Sequence, residues 1–217
     1  MSEPAGPPGA ERIGLYGGAF DPPHAAHLAV ARAAIGQLAL DRLIIVPTGD
    51  AWHKAQALSP AVHRMAMAQA AFADLPQAQV DDRETRRSGP SYTIDTVREL
   101  QAAHPAAQWF LVIGADQAAG FPGWKDWQTL LDLTTVAVAP RGGIDAALQP
   151  ADVEALLAPE RWNGHAVQAL KMQAWPHSAT SVREQLAAGA RVTGLPPGCV
   201  PEPVARYIER HHLYSPT

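Results

Sequence analysis

A single cysteine, Cys199, stands in the 217-residue chain. No disulfide can form within it, and such usage fits a reducing compartment such as the cytoplasm. Charge is sparse and nearly balanced. Lys and Arg number 17 against 21 Asp and Glu, a formal net charge of -4. That leaves neither a basic face for duplex nucleic acid nor a polybasic patch for a membrane. No stretch approaches the roughly 18 apolar residues of a membrane span. Neither the G-x-G-x-x-G dinucleotide fingerprint nor the Gly-Lys-Ser/Thr of a Walker A loop occurs. Any phosphate binding must therefore be local, done by a few placed groups. Residues 1–10 are rich in Pro and Gly and lack the charged and apolar regions of a signal peptide. A short disordered tail is expected there, and a single domain over 11–217, for which 47% hydrophobic residues are enough to build one good core.

Strand-like and helix-like patterns then alternate. Short apolar runs at 12–16, 42–46, 108–113 and 134–139 end in Gly, Pro or Arg-Gly turns, and weaker strands fall at 79–82 and 166–174. Helical patterns occupy 24–38, 60–73, 92–103, 151–157, 180–188 and 203–212. Ser59-Pro60 predicts a serine N-cap with proline at the first helical position, and Gly189 a C-terminal stop. Val62, Met65 and Phe72 fall on one helical face and read as core. Strands each followed by a helix imply right-handed crossovers and parallel pairing. The expected fold is α/β, a doubly wound, mainly parallel, Rossmann-like sheet. Its ligands would bind beyond the carboxyl ends of the strands. The longest expected loops are 48–58, 83–91 and 142–150. Arg83, Arg86 and Arg87 in the second read either as a solvated loop or as a lid over anions.

The densest chemical signal follows the first strand: Gly17-Gly18-Ala19-Phe20-Asp21-Pro22-Pro23-His24-Ala25-Ala26-His27. The glycines let a ligand approach the backbone closely. His24 and His27, three residues apart, share a helical face in the expected first turn, where unpaired N–H groups and the helix dipole favour an anion. A phosphate grip fits this pattern. One surface and one packing histidine would also fit it, as would a metal pair, although no neighbouring Cys or carboxylate cluster completes a ligand set. A second candidate is Ser178-Ala179-Thr180-Ser181-Val182-Arg183, where Ser178 or Thr180 could cap a helix and Arg183 could hold phosphate oxygens in its fork.

The first segment resembles the G-x-F-D-P-x-H-x-x-H signature of the nucleotidyltransferase superfamily, with Ala19 and Ala26 where threonine and glycine are common. The second resembles its I-S-S-T-x-I-R signature, with His177 and Ala179 as departures. Further segments are similar to those of bacterial nicotinate-nucleotide adenylyltransferases: Gly89-Pro90-Ser91-Tyr92-Thr93-Ile94-Asp95-Thr96, then Ile113-Gly114-Ala115-Asp116 followed by Phe121, Trp124 and Trp127, then His53-Lys54 after Trp52, and the ending around Val204 to Tyr214. The resemblance spans about residues 12–214.

It implies transfer of the adenylyl group of ATP to nicotinate mononucleotide, giving deamido-NAD and pyrophosphate, with Mg2+ held mainly by ATP and water. Gly17, Gly18, Phe20, His24, His27, Ser178, Thr180 and Arg183 would bind ATP. His24, His27 and Arg183 would also steady the transition state. Lys54 and Arg141 would approach the mononucleotide phosphate, Asp116 would orient the ribose or substrate, and Trp124 would stack on the pyridine ring. Main-chain donors at Thr93 and Lys125 would meet the nicotinate carboxylate. Competing readings are another adenylyl- or cytidylyltransferase of the superfamily, a non-catalytic nucleotide-binding module, and a metal-dependent hydrolase using the histidine pair.

Overall fold

The computed structural model describes residues 9–49, 58–140, 158–165, 167–173, 175 and 178–215. Their strands are β1 (Arg12–Gly18), β2 (Arg42–Pro47), β3 (Ala78–Val80), β4 (Gln108–Gly114), β5 (Thr135–Ala139) and β6 (Val167–Ala169). They form one sheet in the order β3-β2-β1-β4-β5-β6. Every pairing is parallel. The helices are α1 (Ala25–Gln37), α2 (Ala61–Phe72), α3 (Arg83–Arg86), α4 (Thr93–Ala103), α5 (Ala115–Gly120), α6 (Trp127–Leu133), α7 (Ala179–Ala187) and α8 (Glu202–Arg210).

Alternation along each strand sends side chains to two opposite cores. Tyr16, Leu43, Ile45, Phe110 and Val112 pack under α1, α2, α7 and α8. Leu15, Ile44, Trp109, Leu111 and Ile113 pack under α4, α5 and α6. Strands covered on both faces need not alternate with polar residues, which is why β4 and β5 read as continuous apolar runs. The doubly wound expectation is met, and the sheet is parallel throughout the described residues. Gly189, at φ +90°, follows the last residue of α7 and its cap. L side chains rarely adopt that conformation, so glycine ends the helix there.

Four local expectations need correction. Pro60, not Ser59, occupies the N-cap of α2, with φ -48° and ψ 140°; the Ser59 N–H donates instead to Asp21 Oδ2 at 2.9 Å. The buried stripe of α2 is Arg64, Met67, Ala68, Ala71 and Phe72, while Val62 is 68% exposed and Met65 only partly covered. The helix is turned so that Arg64 points inward, where three carbonyls receive it. Residues 83–91 are not simply a loop, because 83–86 close one helical turn. The strand expected over 166–174 contracts to Val167–Ala169. The helix expected at 151–157, the loop at 142–150 and residues 1–8 of the tail expected at 1–10 lie outside the described residues.

Candidate active site

The strand order reverses between β1 and β4: the chain winds outward from β1 to β3, then returns to lay β4 on the other side of β1. At such a switch point the loops at the carboxyl ends of the two strands diverge and leave a crevice. Here the crevice has two lobes. One, of about 510 Å³, is lined by Phe20, His24, His27, Thr180 and Arg183 among others. The other, of about 480 Å³, is lined by Glu84, Ser91, Thr93, Trp124 and Lys125 among others. Gly17, Gly18, Ala19, Asp116 and Gln117 line both, so the lobes share a floor.

In the first lobe, β1 runs into a turn where Phe20 adopts φ +48°. A left-handed residue other than glycine costs about 1–2 kcal/mol. Burial of the Phe20 ring, 1% exposed and edge-on to Phe72 and Tyr16, offsets that cost. The turn delivers His24 to the N-cap of α1 with an extended backbone, φ -139° and ψ 176°. His24 therefore stands one residue before the first turn rather than within it. His27 follows at the third helical position, and its Nδ1 accepts the His24 main-chain N–H at 3.1 Å. The two ring centroids are 4.0 Å apart, and the Phe20 ring lies 5.0 Å from His27. Across the lobe Ser178 caps α7, its Oγ accepting the Ser181 N–H at 3.1 Å. Thr180 thus lies inside the first turn instead of capping it. Arg183 Nη2 donates to Thr180 Oγ1 at 3.3 Å, and Nη1 donates to the Asp21 carbonyl at 2.7 Å. Residues from the two sequence signatures are joined in one lobe.

In the second lobe Thr93 is the first residue of α4, with Tyr92 at the N-cap. The first N–H groups of a helix have no intrahelical acceptor, so Thr93 offers a main-chain donor direction along the helix axis. Trp124 is half-buried, and its ring lies 5.0 Å from that of Phe121. Lys125 lines the lobe, and its Nζ sits 3.3 Å from Asp95 Oδ2 and 4.4 Å above the Tyr92 ring centre. Asp116 is the second residue of α5, whose N-cap is Gly114, so it is not a capping residue. It is exposed on the floor between the lobes. Burial first, and the Asp116 charge second, raise the Tyr16 phenol well above its ordinary value and keep it neutral. Lys54 and Arg141 lie outside the described residues, as do His53 and His177.

The basic run resolves into ion pairs. Arg83 reaches Asp81 at 2.8 Å, Arg86 reaches Asp82 at 2.8 Å, and Arg87 reaches Glu99 at 2.7 Å. Hydrogen bonding to Asp81 raises the Arg83 pKa. Burial alone would raise the Asp81 carboxyl, but its contacts with Arg83 hold it below the ordinary carboxylate value.

Sequence reasoning assigned no role to the buried polar residues that hold these loops. Arg64, 3% exposed, donates to Ser59 O at 2.9 Å, Thr48 O at 2.7 Å and Ala19 O at 3.1 Å. Burial lowers its pKa, opposed by the charge of Asp21. Asp21, 2% exposed, accepts the Tyr214 hydroxyl at 2.5 Å as well as the Ser59 N–H. Glu84 accepts the Thr96 hydroxyl at 2.7 Å, and burial raises its pKa. Its carbonyl lies so close to Gly49 that a Cβ there would stand 2.1 Å from the oxygen, which only glycine allows. One signal for Arg64 was present in the sequence: it falls on the same stripe as Met67, Ala68 and Ala71, a charge on an apolar helical face.

Residues 15–185 match the family model described as cytidylyltransferase-like. A protein of Albidiferax ferrireducens named "Probable nicotinate-nucleotide adenylyltransferase" is 50% identical over 205 residues, covering 94% of this chain and 98% of that protein. One of the same name from Methylibium petroleiphilum is 48% identical, covering 94% and 93%. Among solved structures, the nicotinic acid mononucleotide adenylyltransferase of Plasmodium falciparum superposes with a TM-score of 0.73 at 18% identity, covering 94% of this chain and 97% of that one, which establishes a common fold. The fold, the joined signatures and these full-length relatives lead to one conclusion: the chain belongs to the nicotinate-nucleotide adenylyltransferase family of the cytidylyltransferase-like nucleotidyltransferases.

Proposed function

We propose that the chain transfers the adenylyl group of ATP to nicotinate mononucleotide, releasing pyrophosphate and forming deamido-NAD for NAD biosynthesis. The observation that carries this is the two-lobed crevice. A lobe of phosphate-binding character and a lobe with an aromatic wall share a floor at Gly17, Gly18 and Asp116. ATP in the first and the mononucleotide in the second would bring the α-phosphorus and the attacking phosphate together over that floor.

The nucleophile is a phosphate oxygen, already ionised at neutral pH, so the site needs no general base. The barrier lies in joining two anions and in the charge that gathers on departing pyrophosphate. Positioning and donor groups aimed at that charge can lower it. His27, whose Nδ1 accepts an N–H, carries its proton on Nε2 when neutral and acts as a donor there. His24 is the second imidazole donor. Arg183 and Thr180 grip the outer phosphates, and Ser178 keeps their helix start in place. Gly17 and Gly18 let the triphosphate lie close to the backbone, and Phe20 walls it. Trp124 stacks on the pyridine ring, and Asp116 orients the ribose. Main-chain donors at Thr93 and Lys125 select an acid over an amide, because the amide's own N–H groups would face donors. Lys54 and Arg141 are proposed for the mononucleotide phosphate.

Imidazole, guanidinium and hydroxyl groups suit phosphate oxygens, and among the described residues no three His, Cys, Asp or Glu side chains gather into a metal cage. The set fits a Mg2+ carried by ATP oxygens and water, which would supply charge neutralisation when bound. Cytoplasmic action is part of the proposal, as is a single catalytic domain over 11–217 without nucleic-acid or membrane partners. The test is pyrophosphate release from ATP and Mg2+ with either nicotinate or nicotinamide mononucleotide. Turnover with the acid and much less with the amide is expected. No turnover with either overturns the proposal, and equal turnover overturns the acid selectivity.

A further inference from the structure

Three contacts tie the C-terminal part of the chain to the turn that carries the histidines. The Ala25 N–H, at the first position of α1, donates to the Cys199 carbonyl at 2.9 Å. Arg183 Nη1 donates to the Asp21 carbonyl at 2.7 Å. The Tyr214 hydroxyl donates to Asp21 Oδ1 at 2.5 Å, while the Ser59 N–H holds Oδ2 at 2.9 Å. Asp21 is thus gripped at its carboxylate from two sides and presents its carbonyl to the guanidinium. Cys199 and Tyr214 lie beyond the 15–185 segment shared with the wider family.

We propose that Tyr214 is a positioning residue for ATP, acting through Asp21 on Arg183. The inference rests on the adenylyl transfer proposed above, in which Arg183 grips the outer phosphates. Tyr214 touches no substrate in this scheme. Its hydroxyl fixes the Asp21 carboxylate, the carboxylate fixes the Asp21 peptide plane, and that plane sets where the guanidinium fork points. A buried carboxylate oxygen that loses its donor must find another, and the nearby donor groups include Arg64, Arg183 and the Ser59 hydroxyl. Burial, and after it the Asp21 charge, hold the Tyr214 phenol protonated, so the donor persists across the physiological pH range.

The test uses the full-length chain and its Tyr214→Phe variant, which keeps the ring and its packing. ATP binding with Mg2+ is measured by calorimetry, and the KM for each substrate by pyrophosphate release. A hydrogen bond to a charged group corresponds to a factor of roughly ten or more, and part of that reaches Arg183. ATP binding and kcat/KM for ATP are expected to fall roughly 5–10-fold, with the KM for nicotinate mononucleotide within twofold. Tyr207→Phe is the control, since its hydroxyl pairs with His63 at 3.1 Å in the same C-terminal region but outside the Asp21 contacts. It should change neither. Combining Tyr214→Phe with Arg183→Ala should cost little beyond Arg183→Ala alone, because residues acting in series are non-additive. Unchanged ATP binding in Tyr214→Phe overturns the proposal, and so does full additivity with Arg183→Ala or an equal loss for both substrates. If Tyr214→Phe does not fold, the proposal is decided with Tyr214→Leu, which likewise removes the hydroxyl donor to Asp21 Oδ1. The same ATP-selective loss supports the proposal, and its absence overturns it. Failure of the wild type to turn over would sink the proposed reaction, while ATP binding would still decide the role of Tyr214.

Discussion

A histidine whose Nδ1 accepts a main-chain N–H is committed to donating through Nε2. His27 is in that position because His24 stands at the helix cap with its N–H turned towards it. Replacing His24 by Ala should lower kcat roughly 10²–10³-fold, the usual cost of one lost transition-state donor. Unchanged pyrophosphate release would remove His24 from the mechanism. Trp124→Ala should raise the KM for nicotinate mononucleotide roughly tenfold, in keeping with about 1–3 kcal/mol per stacked ring. A rise confined to the ATP KM would contradict stacking. Arg64 acts at the same scale but on stability. Arg64→Met would leave the carbonyls of Ala19, Thr48 and Ser59 without this donor, a loss of about 2–4 kcal/mol. For a chain of this size that lowers Tm by roughly 5–15 °C, readable by calorimetry. A Tm unchanged within a degree would show that water satisfies those carbonyls.

Elements were legible in the sequence where a local pattern dictated them. β1, β2, β4 and β5 are short apolar runs, each stopped by Gly, Pro or a turn, and all four lie where the pattern put them. α3, α5 and α6 went unread because helices of one or two turns have too little periodicity to show. α2 was found but rotated. Val62 and Met65 are apolar and fit a helical stripe, yet the true stripe begins at Arg64, whose burial depends on carbonyls 5, 16 and 45 residues away. No local rule sees such partners. The site divides in the same way. His24, His27, Thr180 and Arg183 were readable from their spacing and signatures, whereas Asp21, Glu84 and Tyr214 matter through contacts made only in the fold. One element-scale prediction follows from the Ser178 cap of α7. Ser178→Ala should cost about 1 kcal/mol, lowering Tm by roughly 2–4 °C. It should raise the ATP KM more than the mononucleotide KM, since Thr180 sits in the turn that frays. Equal changes in both would separate the cap from the phosphate lobe.

For the whole molecule, pH acts through groups whose folded and unfolded values differ. Burial raises Glu84 above its ordinary 4.5. The folded state therefore binds the Glu84 proton more tightly than the unfolded state does. Its contribution to stability is fully present below 4.5 and is lost as pH rises through the folded value. Asp81, held low by Arg83, acts in the opposite sense: its stabilisation is present above the ordinary value and lost as pH falls. The stability of the wild type relative to Glu84→Gln should therefore decline as pH rises from the ordinary carboxylate range towards neutrality. Urea titrations at a series of pH values would show it, and a difference that stays flat would mean Glu84 titrates normally. The parallel winding was legible because most of the apolar strand runs are followed by a helical pattern, whereas the strand order β3-β2-β1-β4-β5-β6 was not.

The Asp21–Tyr214 contact spans 193 residues of chain. A ribosome adding about 5–20 residues per second makes that separation a delay of roughly 10–40 s between the two ends of one hydrogen bond. β1, β2 and β4 can pair while synthesis continues, and Ser59 and Arg64 can already hold the turn, but the second donor to the Asp21 carboxylate comes much later. A nascent chain that has not yet reached Tyr214 would hold its paired strands and an Asp21 carboxylate with one of its two donors.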